Sequence, residues 1–224
     1  MKKTLILTIT AILLLTLFSA CGSADIDPDV DAAMPVSPDM QDASEKVEFS
    51  RGIVDANAAT YISEYLGMGF TLPEGWRFAE EDELSAMVSA GAESVYADKA
   101  DSMQDILELT TIYDMMAVGG SESVAVLFEN LKYHIGGVSL TETAYAEALT
   151  EQLSATQGLS YSVEAPAAAQ LAGLEGTVLN ASVGGSGLHQ SYFIRKMDEY
   201  MLVIIFTAAE NPAWASLKTC FAGA

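Results

Sequence analysis

An α+β domain, an antiparallel sheet covered by helices on both faces, is predicted by three observations. Segments of β-forming residues, Tyr161 to Glu164, Thr177 to Val183, His189 to Met197 and Tyr200 to Ala208, succeed one another across short polar or glycine-rich turns such as Gly184-Gly185-Ser186-Gly187. The run Met201-Leu202-Val203-Ile204-Ile205-Phe206 does not alternate, so it belongs at the centre of a sheet with helices above and below. Helical periodicity is found near 80 to 90, from 139 to 157 and after Asn211.

The amino-terminal end is not part of that domain. Lys2-Lys3, an uncharged apolar run from Thr4 to Phe18 and the small residues Ser19-Ala20 describe an export signal. Its end, Leu17-Phe18-Ser19-Ala20-Cys21, resembles the lipobox of a bacterial lipoprotein, with Phe18 where Leu is usual. That resemblance implies removal of residues 1–20, lipid attachment at Cys21 and a membrane-anchored domain facing away from the cytoplasm. Two other outcomes stay open. Cleavage after Ala24 gives a secreted protein without the cysteine, and an uncleaved run gives a membrane helix, although the run is short of the roughly 20 residues that spanning needs.

From Cys21 to residue 52 the chain is rich in Asp, Ser, Pro and Ala, with too little apolar surface to offset ordering, and is expected to be a disordered acidic tether. Asp25-Ile26-Asp27-Pro28-Asp29-Val30-Asp31 does not fit a calcium loop, because Val30 stands at the glycine position and Val36 at the bidentate glutamate position. The globular domain is expected over 53–224.

Within the domain, Thr60-Tyr61-Ile62 and Gly69-Phe70-Thr71-Leu72 predict two short strands, followed by the turn Pro73-Glu74-Gly75-Trp76. A helix from Glu80 to Ala90 carries four acids in its first turn, which the helix dipole explains more simply than a metal does. Leu109 to Met116 and Val124 to Leu131 predict a hairpin about Gly119-Gly120. Ser139-Leu140-Thr141-Glu142 has the form of a capping box, opening a helix whose Tyr145, Leu149 and Leu153 share a face and whose terminator is Gly158. Asn211-Pro212 predicts a last helix with Trp214, Leu217 and Phe221 inward and Cys220 as a buried, inert thiol.

The order of Tyr61, Gly69-Phe70-Thr71-Leu72-Pro73-Glu74-Gly75-Trp76, an acidic helix, paired strands, the helix at 139 to 157 and a closing hairpin, Ser191 to Lys196 with Tyr200 to Ile204, resembles PsbP-like domains over most of residues 55 to 222. The resemblance implies a small α-β-α sandwich with an antiparallel sheet, an accessory or protein-binding role, and no catalytic site to carry over. Asp198-Glu199 stands at the hairpin where Asp-Gly is easier, predicting a longer or a strained turn.

Charge narrows the partners. Lys and Arg total 10, two of them in the leader, and all 31 Asp and Glu follow Cys21, so the mature chain carries a formal charge of −23. Nucleic acid is excluded as an ordinary partner, since backbone affinity comes from clustered cations. Gly184-Gly185-Ser186-Gly187-Leu188 breaks the nucleophile-elbow pattern at its last position. His134 and His189 lack a His or Cys at ligand spacing and are expected to be surface or strand residues. Met68, Met87, Met103, Met115, Met116, Met197 and Met201 are expected to fill the core, with one of the Met115-Met116 pair exposed. No catalytic residue, cofactor or metal is expected. The sequence therefore predicts a non-enzymatic lipoprotein that binds an envelope protein partner, the alternative being a receptor for a small ligand or divalent cation.

Overall fold

The computed structural model describes residues 48–86, 110–134, 136–156, 160–209 and 213–223. Twelve strands among them form two antiparallel sheets. The small sheet has the order β1 (Ile53–Asp55), β2 (Thr60–Ser63), β3 (Met68–Thr71) and β12 (Phe221–Gly223). The large sheet runs β4 (Arg77–Phe78), β5 (Thr111–Gly119), β6 (Glu122–Asn130), β11 (Tyr200–Ala208), β10 (Leu188–Met197), β9 (Leu174–Val183) and β7 (Tyr161–Val163), with β8 (Ala167–Leu171) also paired to β9.

The non-alternating strand is central, as its composition requires. Met201, Val203 and Ile205 of β11 join one buried cluster, while Leu202, Ile204 and Phe206 join the other. Helix α1 (Glu142–Ala155) covers the first face through Tyr145, Ala146, Leu149 and Leu153. The opposite face is covered largely by the small sheet, whose Tyr61, Met68 and Phe70 point inward while Ile62 and Thr71 point out. Helix α2 (Ala213–Cys220) lies against β10, β11 and β12, and Cys220 packs on the same cluster as the small sheet. The helical cover expected on both faces is thus found beneath α1, whereas a second sheet is the main cover opposite.

Several boundaries differ from expectation. Ser139 does not cap α1: it closes a 3₁₀ turn at Gly137–Ser139, its hydroxyl donates to the Gly136 carbonyl at 2.5 Å, and Thr141 Oγ1 accepts from Ala144 N at 3.2 Å instead. Phe221 opens β12 opposite Phe70 and does not continue the helix. The turn at Asp198-Glu199 keeps two residues, with Met197 paired to Tyr200, and it is Asp198 that takes the left-handed conformation at φ 52°. Packing begins before Ile53, because the Phe49 ring stacks on Tyr200 at 4.4 Å and meets Tyr65 and Phe128 edge-on. Met115 and Met116 face opposite sides of β5 as expected, yet both are buried, at 1% and 3% exposure. Cys21, Met87, Met103, Gly158 and Asn211-Pro212 lie outside the described residues.

Candidate functional site

Strand β5 pairs with β6 along its length, but its register slips between Tyr113 and Met115, leaving Asp114 as a bulge. A bulge re-aims one side chain away from the ladder. Here both Asp114 carboxylate oxygens accept from Gly52 N, at 3.1 and 3.0 Å, and one also accepts from the Tyr61 hydroxyl at 2.5 Å. Gly52 suits this approach because a Cβ there would lie 2.2 Å from the Tyr61 ring. Burial, and then the Asp114 charge, raise the Tyr61 hydroxyl far above its ordinary range, so it remains a donor. The carboxylate therefore ties the first residues of the domain and the small sheet to the large one.

Beside this tie lies a cleft of about 590 Å³, lined by Arg51, Glu81, Thr111, Tyr113, Asp114 and Met116 among others. Arg51 Nη2 donates to the Tyr113 carbonyl at 3.2 Å. Thr111 Oγ1 is buried and has no hydrogen-bond partner among the described residues. The cleft thus offers a guanidinium, a hydroxyl, two carboxylates and an apolar floor, a set suited to holding a small polar ligand.

Thr111 also leads inward to a second group. Its cross-strand partner is Glu129, which is 0% exposed on the α1 face, and His134 Nε2 lies 3.0 Å from Glu129 Oε2 with only 4% of its side chain exposed. Burial raises the Glu129 carboxyl, opposed by His134 and the Tyr145 hydroxyl, which favour its charged form. Tyr113 and Tyr145 are pushed up by burial and by Glu129. The expectation that His134 is a surface or strand residue is corrected: it follows the turn Leu131–Tyr133 and folds back beneath it. Five positions separate it from Glu129 across a strand end, a spacing with no motif attached.

His189 is half-buried in β10 and lines a small polar depression of about 70 Å³ with Ser162, Glu164, Asn180 and Ser191. Cys220 is half-buried, and burial pushes its thiol up, away from the reactive thiolate. Among the described residues no three His, Cys, Asp or Glu side chains are grouped to hold a metal ion, and no helix is long and apolar enough to cross a membrane.

Together these features define an α+β domain with a polar cleft beside a bulged strand. No family model and no curated protein matches the chain. Among solved structures, it is similar to the solution structure of cyanobacterial PsbP (CyanoP) from Synechocystis sp. PCC 6803, at 11% identity and a TM-score of 0.42, over 82% of this chain and 99% of that one. It is also similar to the crystal structure of LpqN of Mycobacterium tuberculosis, described as involved in cell envelope biogenesis, at 12% identity and a TM-score of 0.38, over 69% of this chain and 82% of that one.

Proposed function

We propose that this protein is a membrane-anchored extracytoplasmic lipoprotein, a non-enzymatic interaction or accessory module of the cell envelope. One observation carries the reading: the apolar leader ends at Leu17-Phe18-Ser19-Ala20-Cys21 and is followed directly by an acidic spacer. On this reading residues 1–20 are removed, Cys21 carries the acyl chains, the tether runs from Cys21 to Glu48, and a PsbP-like domain follows from Phe49, four residues earlier than the expected 53–224. Support for the non-enzymatic part comes from how the polar groups are used. Asp114 is committed to Gly52 and Tyr61, and Glu129 to His134, so each serves the fold.

Two measurements test it. Mass spectrometry of the amino-terminal peptide is expected to show an acylated Cys21, and an unmodified Ala24 or Asp25 terminus would refute the anchor. Affinity capture from detergent-solubilised membranes is expected to recover a specific envelope protein.

The cleft beside Asp114 favours a second reading, a receptor for a small polar ligand. Calorimetric titration separates the two. Binding that Arg51→Ala abolishes, with no protein partner recovered, would replace the first reading with the second.

A further inference from the structure

Phe49, where the described chain enters the domain, stacks on Tyr200 at one end of the large sheet. The same end carries the 3₁₀ turns Leu131–Tyr133 and Gly137–Ser139, because Tyr200 pairs with Asn130 and Leu131 N donates to the Glu199 carbonyl. Two large apolar side chains stand out from these turns, Tyr133 at 59% exposure and Val138 at 49%. Cations surround them. Lys196 Nζ donates to the Val138 carbonyl, Lys132 pairs with Glu199 at 2.7 Å, and Arg195 approaches Glu142 at 3.5 Å. Of the eight Lys and Arg left after removal of the leader, three are therefore gathered here, in a chain whose mature charge is −23. Facing them are Glu142, Asp198 and Glu199, with Glu48 and Glu64 beside Phe49 and Tyr65, so three cations meet five acids here, a ratio well above the eight to 31 of the mature chain.

We infer that this end of the domain docks on the lipid–water interface of the membrane that holds the anchor, with Tyr133 and Val138 at headgroup depth and Lys132 and Lys196 beside them. The inference rests on the anchored reading. A tyrosine has an apolar body and a polar tip that suit the interface, and lysines keep their heads in water while their stems lie on apolar surface. Cys21 and Phe49 are 28 residues apart, which limits the reach of the chain to about 100 Å. The anchor thus keeps the domain within that distance of the bilayer, and Phe49, the residue nearest the tether that packs on the domain, lies at the same end as Tyr133 and Val138. Elsewhere the acidic surface repels anionic headgroups more strongly, so contact at this cation-bearing end is the orientation least opposed.

The test uses the full processed chain in phosphatidylcholine–phosphatidylglycerol vesicles with brominated acyl chains, which quench tryptophan at the membrane. Tyr133→Trp and Val138→Trp are compared with Ser121→Trp in the turn at the far end of β6, about 30 Å away along the strand, after subtraction of the Trp76 and Trp214 background. Docking predicts emission at 133 and 138 shifted to the blue and quenched several-fold more than at 121. Equal quenching at all three positions, or none at 133 and 138 in protein whose Cys21 is acylated by mass, overturns the docking alone. A blue shift without quenching means that another copy or a protein covers these side chains, which also overturns it. An unacylated terminus refutes the anchored reading and the inference with it.

Discussion

The two faces of the large sheet are supplied by the same strands and packed by different chemistry. Beneath the small sheet the contacts are mainly apolar and aromatic, apart from the Tyr61–Asp114 tie: Phe128 meets Phe49, Tyr65 and Tyr200, Phe70 meets Phe78 and Phe221, and Trp76 stacks parallel to Phe206. Beneath α1 the apolar side chains enclose polar ones. Glu129 and His134 sit at one end, and at the other Tyr192 donates to Gln190, which donates to Thr207. A helix leaves gaps at its ends where polar groups can find partners, whereas two sheets laid face to face admit few, here chiefly Asp114 where the bulge in β5 re-aims it. Stability on one side should therefore depend on volume, and on the other also on pH.

Removing volume from the sheet–sheet face is expected to have the largest effect. Phe128→Ala, at a fully buried position, should cost about 3–5 kcal/mol in urea denaturation, and a loss below about 1 kcal/mol would show that this face is not tightly packed.

Glu129→Gln tests the other face through pH. The raised carboxyl keeps its proton in the folded state where the unfolded chain has already lost it, so its contribution is fully present below the unfolded value and is lost as pH rises through the folded value. Denaturation across that range should show the Gln variant gaining on the parent as pH rises. A constant difference between the two would remove the polar cluster from the comparison.

Smaller effects test the links between regions. Tyr61→Phe deletes the donor to Asp114 and should cost about 1.5–3 kcal/mol, since the acceptor is a carboxylate. Thr141→Ala removes the cap of α1 and should cost about 1 kcal/mol, while Ser139→Ala should cost clearly less, a contrast that separates the observed cap from the predicted one. Glu83→Gln should be the mildest. Arg77 and the Glu80 amide hold the Glu83 carboxyl down to about 2, giving stability above the ordinary glutamate value that is lost as pH falls through about 2. The pair is exposed, however, so no more than about 0.5 kcal/mol is expected in neutral buffer.

Strand β11 matches its predicted span, Tyr200 to Ala208, because a continuous apolar run has few alternatives. Strand β8 was not legible, since Ala167-Ala168-Ala169-Gln170-Leu171 carries no β-branched or aromatic residue and is a strand only through its pairing with β9. The capping box misled because its two members have other partners: Ser139 turns back to Gly136, and Glu142 accepts from Lys196 N at 2.9 Å. The cleft was invisible because the bulge at Asp114 arises from register between strands, and the Glu129–His134 pair because a turn brings together residues without a motif. The segment Gly69 to Trp76 was legible as local structure, but not its role in joining the sheets. Trp76 lies flat against Phe206 and so close to Gly119 that a Cβ there would fall 2.3 Å from its ring.

The small sheet joins the beginning of the domain to its end, since β12 at Phe221–Gly223 zips onto β3 at Met68–Phe70. A polypeptide made from its amino terminus therefore cannot finish that layer until Phe221–Gly223 has left the ribosome. Closure across some 150 positions is slow, and until then the aromatic underside of the larger layer waits uncovered. Under the exported reading proposed above, such a delay would keep the nascent chain loose enough to be threaded through a translocation channel before its final assembly.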